Sequence, residues 1–183
     1  LSEFPQEGDK LRDTSRDFRR LGEGGNSRPS HLWSNGTTIW IADNEAPSIY
    51  AYELKTHARQ LDKDISLSLS TEDRQLNPAG LWSNGKIIWV MDWHTVRAVA
   101  FDLESQIRIP ERDVNALVEA GNHHPAGMWS NGEILWVIDS DDAAIYAYDL
   151  LSGQRRPNDE FRGLRDHGNS SPRGMWSDGV TFW

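Results

Sequence analysis

The chain has no cysteine among its 183 residues. Disulfides, thiolate metal sites and a thiol nucleophile are therefore excluded, while the compartment stays open, because surface proteins often lack cysteine too. No apolar run approaches the roughly 18 residues of a membrane-spanning helix, and no signal peptide is visible. Positive charge is scarce: 19 Lys and Arg stand against 28 Asp and Glu, a formal charge of −9. That balance argues against nucleic acid or an anionic membrane as partner, since both need a basic footprint, and it favours solubility. No initiator methionine precedes Leu1, so a processed product or a piece of something longer is expected. At 37% apolar and 10% aromatic residues, the chain can bury one sizeable core and is expected to form a single domain.

What the chain does have is a repeat. Leu32-Trp33-Ser34-Asn35-Gly36 recurs as Leu81-Trp82-Ser83-Asn84-Gly85, Met128-Trp129-Ser130-Asn131-Gly132 and Met175-Trp176-Ser177-Asp178-Gly179. The first tryptophans follow one another at 49, 47 and 47 residues. Each copy opens at a proline, Pro29, Pro78, Pro125 or Pro172, and carries a second tryptophan at Trp40, Trp89, Trp136 or Trp183. Eight of the nine tryptophans thus belong to the repeat, which leaves Trp93 as the exception.

Within a copy the signals are those of short antiparallel strands. Asn-Gly or Asp-Gly between apolar residues predicts a hairpin with a type I′ turn, in which both central residues take positive φ. The following segment, such as Ile134-Leu135-Trp136-Val137-Ile138, is apolar at every position and is expected to be covered on both faces. A third strand follows at Ile49-Tyr50-Ala51-Tyr52 and its equivalents, and Gly153-Gln154-Arg155-Arg156 reads as a turn into a more polar outer strand. A helical turn is expected around Asp113 to Val118, in the connection to the next copy.

Four strands of rising polarity per copy predict an all-β fold, a four-bladed β-propeller of about 47 residues per blade. The Pro-x-Gly-Leu/Met run, the Ile-x-Trp-Val-x-Asp strand and the Ile-Tyr-Ala-Tyr-Asp-Leu strand resemble blades of the NHL and YWTD type. They resemble still more the Trp-Ser-Asp-Gly tandem repeats of bacterial surface and secreted proteins. The resemblance implies a fold but not an activity, because propellers host binding, scaffolding and catalysis alike.

The ends carry half-copies. Residues Asp17-Phe18-Arg19-Arg20-Leu21 with Gly25-Asn26-Ser27 match Glu160-Phe161-Arg162-Gly163-Leu164 with Gly168-Asn169-Ser170, so residues 1–28 read as the tail of a blade and 172–183 as the head of one. Blades are expected at 29–77, 78–124 and 125–171, with a composite fourth made of 172–183 plus 1–28. The ring closes within the chain, forms one period of a longer polymer, or is half of a larger ring completed by a second copy. Leu1, Phe4, Phe182 and Trp183 mark the assembly seam.

Among candidate sites, the repeat tryptophans read as core packing between sheets rather than as sugar platforms. Trp93 and His94 break the repeat in a turn where Asn44 and Ser140 stand elsewhere, and they are the ligand-binding candidates. Asp43, Asp92 and Asp139 end equivalent strands and could ring a metal such as Ca²⁺; the alternative is carboxylates accepting backbone N–H groups in turns. The run Asp139-Ser140-Asp141-Asp142 lacks the Gly and distant Glu of a calcium loop. His31 replaces the glycine found at Gly80, Gly127 and Gly174. Propeller hydrolases and lyases, which resemble this fold, gather Glu, Asp, Asn or His around a metal at the channel mouth; no such cluster stands out. Asn35 and Asn169 match the glycosylation pattern, and since Asn35 serves its turn, Asn169 is the candidate carrier.

The expectation is a non-catalytic, extracellular or cell-surface module, structural or adhesive, associating with itself or with neighbouring repeats as one subunit of a tandem-propeller fibre or surface protein. The alternatives are a glycan-binding lectin and, behind it, a metal-dependent hydrolase or lyase. No cofactor is expected unless the aspartates take Ca²⁺, and neither nucleic acid nor membrane insertion is expected.

Overall fold

The structure, a computed structural model, describes residues 17–19, 21–69, 74–115, 117 and 121–183. The expected N-terminal seam residues Leu1 and Phe4 lie outside them. No α-helix occurs among the described residues; strands are joined by turns and short 3₁₀ segments.

Each complete copy of the repeat folds as an antiparallel meander. The first comprises β1 (Pro29–Ser34), β2 (Thr38–Asp43), β3 (Ser48–Glu53) and the short β4 (Ile65–Ser66). A small hairpin of β5 (Ser68–Leu69) and β6 (Arg74–Gln75), which the repeat pattern does not foretell, precedes the second meander. That one comprises β7 (Pro78–Ser83), β8 (Ile87–Asp92) and β9 (Arg97–Asp102), and the third comprises β10 (Pro125–Ser130), β11 (Ile134–Asp139) and β12 (Ala144–Asp149). The first strands β1, β7 and β10 pack side by side, with β7 in the middle.

The all-apolar middle strands behave as their composition demands: every residue of β2 and β11, and all of β8 but Ile87, is buried. The two tryptophans of a copy face each other across the first pair of strands, Trp33 with Trp40, Trp82 with Trp89 and Trp129 with Trp136. Their ring centroids lie 5.4, 5.4 and 5.5 Å apart. Glycine sets the spacing between sheets. A Cβ on Gly80 would stand 3.1 Å from the backbone nitrogen of Met128, and one on Gly127 only 2.9 Å from Gly174 Cα. These first strands therefore approach nearly backbone to backbone, which a side chain at Gly127 would forbid.

The hairpin turns form where expected but by a different device. Gly36, Gly85, Gly132 and Gly179 take φ of 90, 89, 96 and 93°, yet the Asn or Asp before each does not join them in the left-handed region. Instead its side chain acts as an acceptor: Asn35 Oδ1 takes the N–H groups of Thr37 and Thr38 at 3.0 and 2.8 Å, and Asp178 does the same for Val180 and Thr181. The preceding serine hydroxyl accepts the glycine N–H, at 2.9 Å in both Ser83 and Ser130. The type I′ expectation is corrected accordingly: Ser-Asn/Asp-Gly is a turn in which all three residues have separate hydrogen-bonding or conformational duties.

The outer strand is also more broken than expected. In each copy an arginine bridges back to the third strand, Arg59 to Tyr52, Arg108 to Phe101 and Arg155 to Tyr148. A 3₁₀ turn then interrupts pairing at Leu61–Lys63, Pro110–Arg112 and Pro157–Asp159. Two of these open with proline, which has no N–H to give a ladder. Each arginine pairs with the acid five residues on: Arg59 with Asp64, Arg108 with Asp113, Arg155 with Glu160. The aspartates Asp64 and Asp113 also accept the N–H of Ala51 and Ala100, both at 2.9 Å, so the pair clasps the outer segment onto the third strand. Of the helical turn expected around Asp113 to Val118, Val114 pairs with Ala98 while Ala116 and Val118 lie outside the described residues.

Phe18 and Leu21 pack on Ile39, Ile41 and Tyr52 of the first meander, as Leu164 and Phe182 pack on the third. In the C-terminal half-copy Ser177 bridges Phe182, and Trp176 and Trp183 exchange backbone hydrogen bonds of 3.1 and 2.9 Å.

Candidate functional site

Asp43, Asp92 and Asp139 end β2, β8 and β11 and are buried. Each sits under the turn that follows. Asp139 accepts the N–H groups of His123 and His124 at 2.8 and 2.9 Å through one oxygen, and those of Asp141 and Asp142, both at 2.9 Å, through the other. Asp43 likewise accepts Arg28, Glu45 and Ala46 at 2.7 to 2.8 Å. Burial opposes ionisation of both, but the converging backbone N–H groups outweigh it and hold the two carboxyls below the usual range. These oxygens face donors rather than a shared centre, and no group of three metal-capable side chains occurs among the described residues.

Above those turns lies a cavity of about 830 Å³, within the roughly 300–1,000 Å³ of ligand pockets. Its walls are equivalent positions of successive copies: the starts of β1, β7 and β10 with Arg173 and Gly174, and the turn residues Asn44, Trp93 and Ser140. Trp93 is exposed, as its place in the turn suggests, and its indole is edge-on to His94 at 5.3 Å and tilted to His124 at 6.2 Å. His94 itself is exposed but does not line the cavity. His31 does, half-buried, and burial pushes its imidazole below the ordinary value. His124 pairs through Nδ1 with Asp141 at 3.0 Å. Arg173 and His124 line the same space and carry no role in the sequence reading. Both break the repeat: Arg173 stands where Ser30, Ala79 and Ala126 stand, and His124 where Arg28, Asn77 and Ser171 do.

The second feature is a pair of bare edges. Leu81 and Met128 are 5% and 3% exposed, yet their equivalent Leu32 is 61% exposed. At the other end Trp183 is 63% exposed, against 3% for Trp40 and Trp89, and Trp176 is 59% exposed. The expectation that all eight repeat tryptophans pack in a core is corrected for these two: no described sheet covers their outer side, and a Cβ on Gly174 would meet nothing within 4 Å. Phe182 is placed otherwise, wedged against Trp129, Trp136 and Phe161 at 5.2 to 5.5 Å between centroids. No strand pairing joins residues 17–28 to 172–183 among the described residues. Asn169 is exposed in the connection before Pro172.

No protein-family model matches the chain, and no curated protein matches it. Solved structures do. A chain of a nidogen/laminin complex aligns with a TM-score of 0.56 at 16% identity, over 80% of this chain and 51% of that one. A streptogramin B lyase aligns at 0.55 and 16%, over 83% and 46%, and the hydrazine synthase of Kuenenia stuttgartiensis at 0.55 and 16%, over 84% and 40%. The chain thus spans about half the length of these proteins or less. At such identities the likeness concerns fold alone: the chain is an all-β protein of antiparallel meanders with a propeller-like fold.

Proposed function

We propose that the chain is a non-catalytic structural or adhesive module of an extracellular or cell-surface protein. In this reading it is a four-bladed propeller whose fourth blade, 172–183 with 1–28, is completed between neighbouring copies. The observation that carries it is the pair of bare edges. Leu32, Trp176 and Trp183 are contact residues of the repeat, whose equivalents Leu81, Met128, Trp82 and Trp89 are buried, and in this chain they line one cavity of about 430 Å³ together. The two edges border the place of the fourth blade, and the half-copy of a second molecule that completes this blade would cover both. Contacts of unlike patches do not use themselves up at a dimer and extend into filaments. The extracellular placement rests on the likeness of the repeats to those of surface proteins, and a binding role is supported by a structural neighbour that is part of a protein complex.

Sedimentation over a range of concentrations tests this. Wild-type protein should show a mass that climbs above one chain as concentration rises, and Leu32→Glu or Trp183→Glu should each remain monomeric. Mixing the two variants should restore a dimer and nothing larger, since each keeps the edge that the other lacks. A wild type that is monomeric throughout, or variants that assemble unaided, would overturn the reading.

A second reading, glycan recognition, is favoured by the exposed Trp93 indole on the wall of the cavity.

A further inference from the structure

In a repeat this uniform, the informative residues are those that depart from it. Four such departures are chemically active side chains: His31 for glycine, Trp93 for Asn or Ser, His124 for Arg, Asn or Ser, and Arg173 for Ser or Ala. They come from three different copies or half-copies, Trp93 and His124 sharing one, and are spread over more than 140 positions of the chain. All four line the one cavity of about 830 Å³. Packing does not require them there, since the equivalent positions make the same strands and turns with Gly, Ala, Ser, Asn and, once, Arg.

Their chemistry is of two kinds. Trp93 offers a flat apolar face, and Asn44, Asn77 and Ser140 on the same wall offer donors and acceptors suited to hydroxyl groups. The lining holds two fully charged side chains, Asp141 and Arg173. Asp141 already faces the His124 imidazole at 3.0 Å. Arg173 is exposed, and no acidic side chain pairs with it among the described residues. A guanidinium presents a planar fork that fits a carboxylate with two parallel hydrogen bonds. In a chain of net charge −9, a free arginine inside a cavity is also a local inversion of the surrounding field.

We propose that this cavity binds a carboxylate-bearing sugar, with the Trp93 indole against the sugar ring and the Arg173 guanidinium on the carboxylate. The inference rests on the glycan-recognition reading and goes further in naming the ligand's charge and the residue that selects it. Leu32 and Trp183 do not line this cavity, although they border an adjoining one that His31 and Arg173 also reach.

Calorimetric titration with a uronic-acid oligosaccharide and with its neutral counterpart of equal length tests both levels. The acidic ligand should bind at least tenfold more tightly, and raising salt should erode that preference. Arg173→Ala, at an exposed position, should remove the preference and leave neutral binding unchanged, whereas Trp93→Ala should abolish binding of both. Near-UV circular dichroism of the two variants checks that the fold is kept, and Trp183→Ala serves as an edge control that should bind normally. Equal affinity for the two ligands, or a preference that survives Arg173→Ala, overturns the acidic-sugar assignment while glycan recognition stands. Absence of binding to either ligand at millimolar concentration overturns both.

Discussion

Trp89→Ala should lower the free energy of unfolding by about 3–5 kcal/mol, whereas Trp183→Ala, the same repeat position, should cost less than about 1. The two tryptophans occupy equivalent strands, and each faces a partner tryptophan directly across the hairpin, at 5.4 Å for Trp82 with Trp89 and 5.0 Å for Trp176 with Trp183. Trp89, however, is buried in a cluster that takes in Val114, Leu117, Leu135 and Tyr148, and its indole N–H donates to the Arg112 carbonyl at 2.9 Å. Removing it leaves a cavity that rigid sheets on both sides cannot collapse into, together with an orphaned carbonyl. Trp183 has no sheet on its outer side and already meets solvent. Urea titrations followed by circular dichroism would measure both variants; equal costs would show that the C-terminal half-copy is covered in solution, contrary to the bare edge described above.

Asp139→Ala should be nearly as damaging, at about 3 kcal/mol or more. The carboxylate gathers four backbone N–H groups, and its loss leaves these donors without an acceptor in a place water reaches poorly. Asp139→Asn should recover only part of the loss, because one of its two side-chain atoms becomes a donor facing donors. The same residue sets a pH dependence. Its folded-state carboxyl is held below the ordinary value, so its stabilising contribution is complete above the unfolded value of about 3.9 and is lost as pH falls through the folded value. Asp43 acts in the same direction. The melting temperature should therefore be flat from neutral pH down to about 5 and fall steeply below about 4, with a shallower fall in Asp139→Ala. Thermal melts across that range check the sign: a variant as acid-sensitive as the wild type would show that other carboxylates dominate.

Much of this architecture was legible in the residues alone, because it depends on local pattern. An all-apolar strand such as Ile134 to Ile138 can only sit between two layers, and it does. Asp-Gly and Asn-Gly located the hairpins, but not the turn type, since whether Asn35 bends its own backbone or lends its side chain to its neighbours is a choice between two local conformations of similar cost. The break in the outer strand is not legible, because one arginine bridge and a 3₁₀ turn carry the same polar composition as a continuous strand. Burial of Trp183 could not be read from its neighbours in sequence, because it depends on whether another sheet lies against it. The cavity was hidden for a related reason: residues 31, 93, 124 and 173 become neighbours only once the copies are arranged side by side. The available signal is their departure from the repeat, plain at Trp93 and His31 and equally present at His124 and Arg173.

The contacts that hold the fold together fall into two sets with different reach. The Ser-Asn/Asp-Gly turns, the Asp139-type caps and the clasps such as Arg155 with Glu160 lie inside one copy or its own entry segment, while the close glycine approach of Gly127 to Gly174 runs between copies. A copy gained by gene duplication thus arrives with its internal bonding complete and with both halves of the contact it must make. A unit added to or removed from such a chain would therefore change its length without calling for a new interface.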